Sequence, residues 1–593
     1  MLLKTAFPGL GAYLKRDNTM PRYFVQGKGE IRLTKADFKA QGGEGAIYVK
    51  RSTAYKLYTD PQRAITQAKI LELSVLSEPN IIRPIDVVID RQNQPVGYSM
   101  RQVGKSYALC QLFPRAFRLR NNLTPETTLN LVRKLQEGVR HVHTKSILIV
   151  DLNELNFLVS EDFAEIFFID VDSYQTPSFP ATVLMESVRD RHAHTFTVNS
   201  DWFSFAVVSF QMFVGIHPFK GTYQPLQNLP DKDLKLDARM RANVSVLRPD
   251  VSVPASCLPF SVIPPNYLDW YRAVFEEGKR LPPPENPQAS VALSVPAVRR
   301  NIGSSCFEIT EVREFDREII WHDGVITITQ ESVYFDGKKY AKPQPDVKVA
   351  VTPRLRHLIA AFIEGSKLRF RDLTVAQDIV LEVEVEEFML SQGQFYLKQQ
   401  DGIFNIEFVE SNSRVDQKIL LGVSRAANAT MKSTRMFEGL AIQSLLGANY
   451  ASMPGSPRVC HQTHLLELEG YQILEAKLDR GVLMIVGTKE GRYDKLIFRF
   501  AADFSTYDLR VVRGVSSTNI NFTVLDSGVV LHMTDEDNLE IFSRLKGAAD
   551  IRVFQDPVIQ GDVRLFHVGA QALIARGRAL YKINMSQRAL QTA

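Results

Sequence analysis

A proline-rich stretch divides this chain into two parts with different sequence patterns. Residues 281–298, LPPPENPQASVALSVPAV, contain five prolines, which exclude regular helix or strand and indicate a semi-rigid linker. The chain of 593 residues is also too long for one hydrophobic core. We therefore place an N-terminal extension at 1–31, a first domain at 32–280, a linker at 281–300 and a second domain at 301–593.

The two domains differ in their predicted secondary structure. Apolar runs alternate with helical patterns before the linker, which indicates mixed α and β structure. After the linker, long helical patterns almost disappear and short β-rich runs separated by turns dominate. We therefore expect a multidomain protein that combines an α+β domain with an all-β domain.

A loose repeat runs through the second domain, and each unit contains three short apolar strands separated by turns. Four clear units begin at Phe388, Ile473, Asn521 and Arg564, and three weaker copies begin near Ile319, Leu358 and Gly439. Seven units in about 300 residues give roughly 40 residues per unit, the size of a four-stranded propeller blade. We predict a seven-bladed β-propeller that binds proteins; a pair of β-sandwiches with irregular hairpins is the alternative.

Composition excludes several classes of protein. The hydrophobic fraction of 45% and charged fraction of 23% are typical of a soluble globular protein. Lys and Arg are scattered, so the net charge of +5 does not indicate nucleic-acid binding. The four cysteines are far apart without CxxC spacing, which argues against zinc ribbons and disulfide scaffolds and fits a reducing compartment.

No segment has the pattern of a membrane anchor or a signal peptide. The first residues contain only a short apolar run and an early Pro8. The most apolar stretch, Trp202–Val214, is interrupted by polar residues and is shorter than the ~20 residues that a bilayer span requires. We interpret that stretch as a buried helix, and we expect a cytoplasmic protein without a membrane partner.

The segment SILIVDLNELNFLVSEDFAEIFFIDVDSYQ carries the strongest chemical signal. Two apolar runs flank a polar turn, and a hairpin centred on Phe163 would set Asn156 opposite Asp170, with Asp151 a few residues away. A carboxylate and an amide oxygen suit a hard divalent cation such as Mg²⁺. A second carboxylate, Asp151, could accept a proton from an attacking hydroxyl. The alternative is a polar turn between core strands that happens to contain acids.

A glycine-rich turn precedes this segment in the chain. In QGGEGAIYVKRSTAYKLY, Gly42, Gly43 and Gly45 allow backbone N–H groups to approach a phosphate, and the following hairpin carries Lys56. A turn of this kind can hold a phosphate through its backbone N–H groups. The alternative is an ordinary turn followed by a surface lysine on an edge strand.

A short helical pattern follows. One predicted face contains Ile65, Ala68, Glu72 and Val75. A glutamate on an apolar stripe needs a buried cation, and Lys56 is the natural candidate. The alternative places Glu72 at the margin of the stripe, facing water.

Two further helices are predicted around the segment. Thr124 and Pro125 open an amphipathic helix that ends just before Asp151. Downstream, Asp201 begins the nearly all-apolar helix of SDWFSFAVVSFQMFVGIHPF, for which it is the expected N-cap.

Taken in this order, GGEG, Ala54-Tyr55-Lys56, DLNxxN, IDVDS and GIHPF resemble the motifs of the protein kinases, over roughly residues 32–280. The resemblance implies a bilobal protein-kinase-like fold that binds ATP and Mg²⁺ and phosphorylates Ser or Thr on a partner protein. It also implies site roles: a catalytic base, a phosphate-anchoring lysine with its glutamate, metal ligands, and an adenine-binding hinge after a glycine-rich loop. Asp151 would be the catalytic base, Lys56 with Glu72 the phosphate anchor, and Asn156 and Asp170 the metal ligands. Met100, Gln102 and Val103 would form the adenine-binding hinge, and Gly42, Gly43 and Gly45 the glycine-rich loop.

The combination of motifs looks closest to a bacterial branch of Ser/Thr-kinase-like proteins. That branch implies von Willebrand factor A-type proteins and a metal-dependent phosphatase as partners, often in stress-response gene clusters. Val150, Asn153 and Asp172 depart from the usual kinase pattern. They keep open a nucleotide-binding pseudokinase scaffold and a phosphotransferase acting on a small molecule.

Overall fold

The computed structural model describes most of both domains. The described residues are 22–181, 185–285, 306–381, 383–399, 401–412, 417–430, 432–456, 459–548, 550–556 and 558–585. Most of the predicted linker, 281–300, and the first 21 residues of the predicted extension lie outside these ranges.

The first domain begins with a seven-stranded antiparallel sheet in the order β2-β1-β6-β7-β5-β4-β3. Its strands are β1 Tyr23–Val25, β2 Gly29–Ile31, β3 Phe38–Gln41, β4 Gly45–Lys50, β5 Thr53–Tyr58, β6 Asp86–Ile89 and β7 Pro95–Arg101. Because β1 pairs with β6, with Phe24 opposite Ile89, residues 23–31 belong to this sheet. Their assignment to an extension was therefore wrong.

The rest of the first domain is mainly helical and has a small three-stranded sheet, ordered β10-β9-β8. These strands are β8 Ser106–Ala108, β9 Phe157–Ser160 and β10 Ile166–Phe168. The helices of the domain are α1 Gln67–Leu73, α2 Arg115–Arg120, α3 Pro125–Thr144, α4 Val198–Val214, α5 Lys232–Arg241 and α6 Pro265–Phe275. No helix of the described residues combines the length and apolar character needed to cross a bilayer.

Helices α3 and α4 form the centre of this domain. Thr124 caps α3 by accepting a hydrogen bond from the Thr127 backbone, as the sequence predicts. Every residue of α4 from Ser200 to Val214 is buried, which confirms the interpretation of the apolar stretch as an internal helix. The N-cap of α4 is Thr197, so the prediction that Asp201 caps this helix was wrong.

The described part of the second domain forms seven antiparallel sheets of four strands each. Sheets 1 to 3 contain β12 Ile319–His322, β13 Ile326–Thr329, β14 Ser332–Phe335 and β15 Lys338–Ala341; β16 Lys348–Val351, β17 Leu358–Glu364, β18 Lys367–Asp372 and β19 Gln377–Ile379; and β20 Glu387–Ser391, β21 Gln394–Gln399, β22 Gly402–Asn412 and β23 Gln417–Asn428. Sheets 4 to 6 contain β24 Thr434–Phe437, β25 Leu440–Leu445, β26 Ala448–Ser456 and β27 Val459–His464; β28 Gln472–Asp479, β29 Val482–Lys489, β30 Arg492–Phe500 and β31 Tyr507–Arg513; and β32 Phe522–Val524, β33 Val529–Met533, β34 Leu539–Ser543 and β35 Ile551–Phe554. Sheet 7 combines β11 Phe307–Glu314 with β36 Arg564–Val568, β37 Gln571–Arg576 and β38 Ala579–Met585.

Consecutive sheets pack face to face through separate hydrophobic clusters, from sheets 1 and 2 to sheets 6 and 7. A further cluster joins sheet 7 back to sheet 1, where Ile319 packs with Leu573 and Leu580. One edge strand from each sheet contributes residues to a single cavity of about 1560 Å³. These edge strands are β12, β16, β20, β24, β28, β32 and β36.

The two domains contact each other through charged and polar side chains. Arg115 of α2 forms an ion pair with Glu318 (3.3 Å), and Lys232 of α5 forms one with Glu536 (3.0 Å). Lys432 donates a hydrogen bond to the Val49 carbonyl of β4 and lies 3.5 Å from Asp37, which directly precedes β3. The second domain therefore contacts both the sheet and the helical part of the first domain.

Candidate functional site

The hairpin of β9 and β10 carries the predicted metal ligands at its open end. Phe157 lies opposite Phe168, and the Asn156 carbonyl accepts a hydrogen bond from the Ile169 backbone at 3.0 Å. Asn156 therefore lies opposite Ile169, and the predicted pairing of Asn156 with Asp170 was wrong by one residue. The reason is the turn: Ser160 bonds to Glu165, so the turn has four residues and is not centred on Phe163.

Lys56 and Asp170 meet at the centre of the site. Asp170 has a φ of 60°, a left-handed conformation that Asp tolerates better than most residues, and the chain turns sharply after β10. Its Oδ1 lies 2.6 Å from the Lys56 Nζ. Lys56 is only 5% exposed, so it is not the surface lysine of the alternative interpretation.

Asp172, two residues later, is the more deeply buried of the two aspartates that contact Lys56. Its carboxylate oxygens lie 3.0 and 3.2 Å from the Lys56 Nζ, and they accept hydrogen bonds from Tyr58 (2.5 Å) and Tyr98 (2.7 Å). The Lys69 ammonium also donates to the Asp172 carbonyl at 2.7 Å. Burial alone would raise the pKa of Asp172, but Lys56 and the two tyrosines lower it below its ordinary value.

Glu72 does not take the role that the sequence predicts. Among the described contacts, none joins Glu72 to Lys56, and the Glu72 carboxylate instead accepts a hydrogen bond from the Ser178 backbone at 3.2 Å. Helix α1 has only seven residues and buries Lys69, Ile70 and Leu73. The predicted apolar face was therefore rotated, and the Glu72–Lys56 pair was wrong.

Glu44 adds a third carboxylate to the site. Its Oε2 lies 3.3 Å from the Lys56 Nζ, and one carboxylate oxygen each from Glu44, Asp170 and Asp172 lie within 4.8 Å of one another. Withdrawal from water raises the pKa of Asp170 to about 6; Asp172 and Glu44 add to this shift, whereas Lys56 opposes it. The site thus concentrates negative charge around one ammonium group.

Asp151 and Asn156 form the second part of the site. The Asn156 amide donates to the Asp151 carbonyl (2.9 Å) and to its Oδ2 (3.2 Å), while Asp151 Oδ1 accepts from the Met185 backbone (2.7 Å). Asp151 is 9% exposed. Burial raises its pKa above the ordinary value, although these hydrogen bonds oppose the shift.

Asp201 fixes the backbone just before Asp151. It is fully buried and accepts hydrogen bonds from the Ile149 (2.8 Å) and Val150 (3.0 Å) backbones, and its Oδ2 lies 2.9 Å from His143. These bonds hold Val150 at a φ of 64°, which is strained for a β-branched residue. Such strain is common at functional sites, where the surrounding structure imposes it.

The glycine-rich turn connects β3 to β4 beside Lys56. The Gly42 backbone donates to the Gly45 carbonyl at 2.9 Å. A Cβ at Gly45 would lie 2.4 Å from the Leu57 carbonyl oxygen, whereas a Cβ at Gly42 or Gly43 would meet no atom within 4 Å. Only Gly45 is therefore required by packing, and the other two leave open space at the turn.

The predicted hinge lies between the two sheets of the first domain. Met100 is in β7, and Gln102 and Val103 belong to the loop that leads to β8. All three are partly exposed. Their role in binding adenine stays a prediction.

The sequence interpretation missed Tyr58, Tyr98, Lys69 and Glu44 as members of the site. A signal existed for two of them. Tyr58 lies two positions after Lys56 on the same strand, so both side chains share one face. Glu44 stands inside the glycine-rich turn that was already assigned to the site.

Comparisons with known proteins give limited similarity. No known protein-family profile matches the chain. The serine/threonine-protein kinase atg1 of Dictyostelium discoideum is 25% identical over 183 residues, 29% of this chain, and the match spans about a quarter (27%) of that protein. This similarity supports a protein-kinase-like family.

Two solved structures also resemble parts of the chain. A ROP18 kinase domain in complex with AMP-PNP and sucrose is 14% identical and covers 40% of this chain and 80% of its own, with a TM-score of 0.27. Kluyveromyces lactis Hsv2 is also 14% identical and covers 46% of this chain and 98% of its own, with a TM-score of 0.28. At scores this low, neither structure defines the fold.

Proposed function

We propose that the protein is an ATP- and Mg²⁺-dependent kinase that phosphorylates Ser or Thr on a partner protein. The observation that carries this proposal is the buried Lys56, 2.6 Å from Asp170, at the open end of the hairpin, where Asn156 is hydrogen-bonded to Asp151. An ammonium group, a metal-binding carboxylate and amide, and a carboxylate base are the groups that phosphoryl transfer needs.

The donor set fits a hard divalent cation. Asp170 and Asn156 would hold Mg²⁺, which would neutralise charge on the phosphates of ATP. The Asn156 amide nitrogen already faces Asp151, so the amide oxygen is on the opposite side of the group. Glu44 and Asp172 both contact Lys56 and serve mainly to hold that side chain.

The residues of the chain then divide the work. Lys56 binds the α- and β-phosphates, and the open turn at Gly42 and Gly43 lets backbone N–H groups approach them. Asp151 accepts the proton of the acceptor hydroxyl. Its raised pKa makes it a better base than an exposed aspartate.

We further propose that the seven sheets of the second domain are the blades of a β-propeller that binds proteins. Three observations support this: each sheet has four antiparallel strands, hydrophobic clusters link the sheets in a closed sequence, and one edge strand from each sheet contributes to a shared cavity. Strand β11 pairs with β38, so the two ends of the domain are joined in one sheet. Because the first and last strands of the domain pair with each other, this pairing would close the ring of blades and leave neither terminal strand without a neighbour.

The remaining expectations from the resemblance stay proposals. We propose a bacterial, cytoplasmic protein involved in stress responses, with a von Willebrand factor A-type protein and a metal-dependent phosphatase as partners. Pull-down of the full chain with each candidate tests this directly. Absence of both from the bound fraction would contradict the proposed partnership.

A specific contact favours a second candidate function. Both carboxylate oxygens of Asp151 already accept a hydrogen bond, Oδ1 from the Met185 backbone and Oδ2 from the Asn156 amide. These bonds weaken Asp151 as a base, which favours a nucleotide-binding scaffold without phosphotransfer.

Two measurements separate these functions. We expect ATP with Mg²⁺ to raise the unfolding temperature and to label the protein or a partner with phosphate. Asp151→Asn should abolish the label but keep the nucleotide-induced stabilisation, because Asp151 is not assigned to nucleotide binding. Stabilisation of the unaltered chain without phosphate transfer to any acceptor would favour the scaffold, and absence of nucleotide binding would contradict both functions.

A further inference from the structure

The second domain contacts the Asp151 loop directly. Strands β29 and β30 of sheet 5 form a hairpin whose turn contains Gly491, and Tyr493 follows in β30. The Tyr493 hydroxyl donates to Glu154 Oε1 at 2.9 Å. Glu154 lies between Asp151 and Asn156 in the chain and is only 5% exposed.

Tyr493 is itself rigidly held. Tyr493 pairs with Thr488 across the hairpin, and the Tyr493 carbonyl accepts a hydrogen bond from the Val515 backbone at 2.9 Å. Burial raises the pKa of its phenol above the ordinary value, so it remains a neutral donor to Glu154. The neighbouring Cys110 is also neutral, since burial raises the pKa of its thiol to about 12.

The loop that Tyr493 contacts has no regular structure of its own. It is held by short-range bonds from the Asn153 backbone to the Asp151 carbonyl (3.0 Å) and from the Asn156 backbone to the Asn153 carbonyl (3.1 Å). The other carboxylate oxygen of Glu154 is buried and has no hydrogen-bond partner among the described residues. Among the described residues, the Tyr493 hydroxyl is therefore the hydrogen-bond partner that anchors the Glu154 side chain.

The same hairpin also reaches the segment that bonds to Asp151. A Cβ at Gly491 would lie 3.2 Å from the Met185 side chain, and the Met185 backbone donates to Asp151. The same hairpin thus bonds to the Asp151 loop through Tyr493 and lies beside Met185, whose backbone bonds to the Asp151 carboxylate.

We infer that Tyr493 is a positioning residue: it fixes the Asp151 loop of the first domain through Glu154, so that the second domain forms part of the phosphotransfer site. This inference rests on the proposed kinase function. Phosphoryl transfer depends strongly on position, and a displacement of about 1 Å can cost roughly 100-fold in rate. Loss of one anchoring bond should therefore affect turnover more than nucleotide binding.

The test compares Tyr493→Phe with Tyr507→Phe in the full chain. Both changes remove one hydroxyl from sheet 5, but Tyr507 bonds to Glu467 (2.7 Å), which belongs to the second domain. We expect Tyr493→Phe to lower kcat by about 10- to 100-fold with little change in the KM for ATP, and Tyr507→Phe to leave both unchanged. Equal kinetics of the two variants would overturn the inference.

A double-mutant cycle with Glu154→Gln tests the route of the effect. If Tyr493 acts through Glu154, the double variant should be no slower than the more impaired single variant. Multiplication of the two single effects would show that the residues act independently, and would contradict the inference.

Hydrogen exchange keeps this test separate from the proposed kinase function. Amides 151–156 should exchange faster in Tyr493→Phe than in Tyr507→Phe, whether or not the protein transfers phosphate. Unchanged exchange in both variants would overturn the positioning role even if the kinase function holds. Faster exchange without any transferase activity of the unaltered chain would instead refute only the kinase function.

Discussion

Replacement of Asp172 by Asn tests the finding that Asp172, and not Glu72, is the buried counter-ion of Lys56. Asn keeps the size of the side chain but removes its charge. The Lys56 ammonium loses contacts of 3.0 and 3.2 Å, and the Tyr58 and Tyr98 hydroxyls lose their charged acceptor. We therefore expect Asp172→Asn to destabilise the first domain.

The magnitude follows from the contacts that remain. Removal of one partner from a buried ion pair costs ~3–5 kcal/mol. Lys56 keeps Asp170 at 2.6 Å and Glu44 at 3.3 Å, so we take the lower limit, ~3 kcal/mol. For a domain of roughly 250 residues, this corresponds to a fall in Tm of about 6–12 °C.

Scanning calorimetry of the full chain without nucleotide measures this shift. Glu72→Gln is the matched control, because it makes the same carboxylate-to-amide change at a residue bonded to the Ser178 backbone near the surface. We expect it to leave Tm unchanged. An unshifted Tm for Asp172→Asn, or a larger shift for Glu72→Gln, would refute the assignment.

Three further predictions follow from the site. Because the pKa of Asp170 is raised from 3.8 to about 6, its proton stabilises the folded state, fully below pH 3.8, and this contribution is lost as pH rises through 6. Affinity for ATP with Mg²⁺, measured by titration calorimetry, should increase as pH rises through about 6, where the Asp170 carboxylate forms. Asp201→Asn should cost about 3 kcal/mol in urea unfolding, since a buried charged acceptor of two backbone N–H groups is lost. Gly45→Ala should cost about 1–3 kcal/mol in the same assay because its Cβ meets the Leu57 carbonyl.

Each of these predictions has its own control. The pH dependence of nucleotide binding should flatten in Asp170→Asn, and an unchanged dependence would exclude Asp170 as its source. Stability of Asp201→Asn equal to that of the unaltered chain would contradict the role of Asp201 in holding the Asp151 loop. Gly42→Ala meets no atom within 4 Å and should leave stability unchanged, so equal losses at Gly42 and Gly45 would contradict the packing argument.

Local sequence patterns were sufficient to predict several elements of the fold. The apolar runs around the polar turn predicted the β9–β10 hairpin, and Thr124-Pro125 predicted the start of α3. In the second domain, the predicted units at Ile319 and Arg564 begin at the first residues of β12 and β36. These features depend on residues that are close in the chain, where periodicity and turn chemistry are informative.

The errors concern contacts between distant residues or the geometry of a turn. The aspartates that contact Lys56, Asp170 and Asp172, lie more than 100 residues away in the chain, and helical periodicity in α1 contains no information about them. The predicted hairpin register differed from the observed register by one residue, because the polar residues alone do not define the length of the turn. Tyr98 lies directly opposite Lys56 on the neighbouring strand, and it could be recognised as a site residue only once β5 was known to pair with β7.

A crystal structure of the full chain with Mg²⁺ and a non-hydrolysable ATP analogue tests the central claim most directly. We predict that a metal ion lies about 2.0–2.1 Å from oxygens of Asp170 and Asn156, that the Lys56 ammonium contacts the phosphates while it keeps its bond to Asp172, and that the terminal phosphate faces Asp151. A triphosphate bound elsewhere, or bound here with no metal between it and Asp170, would contradict the account.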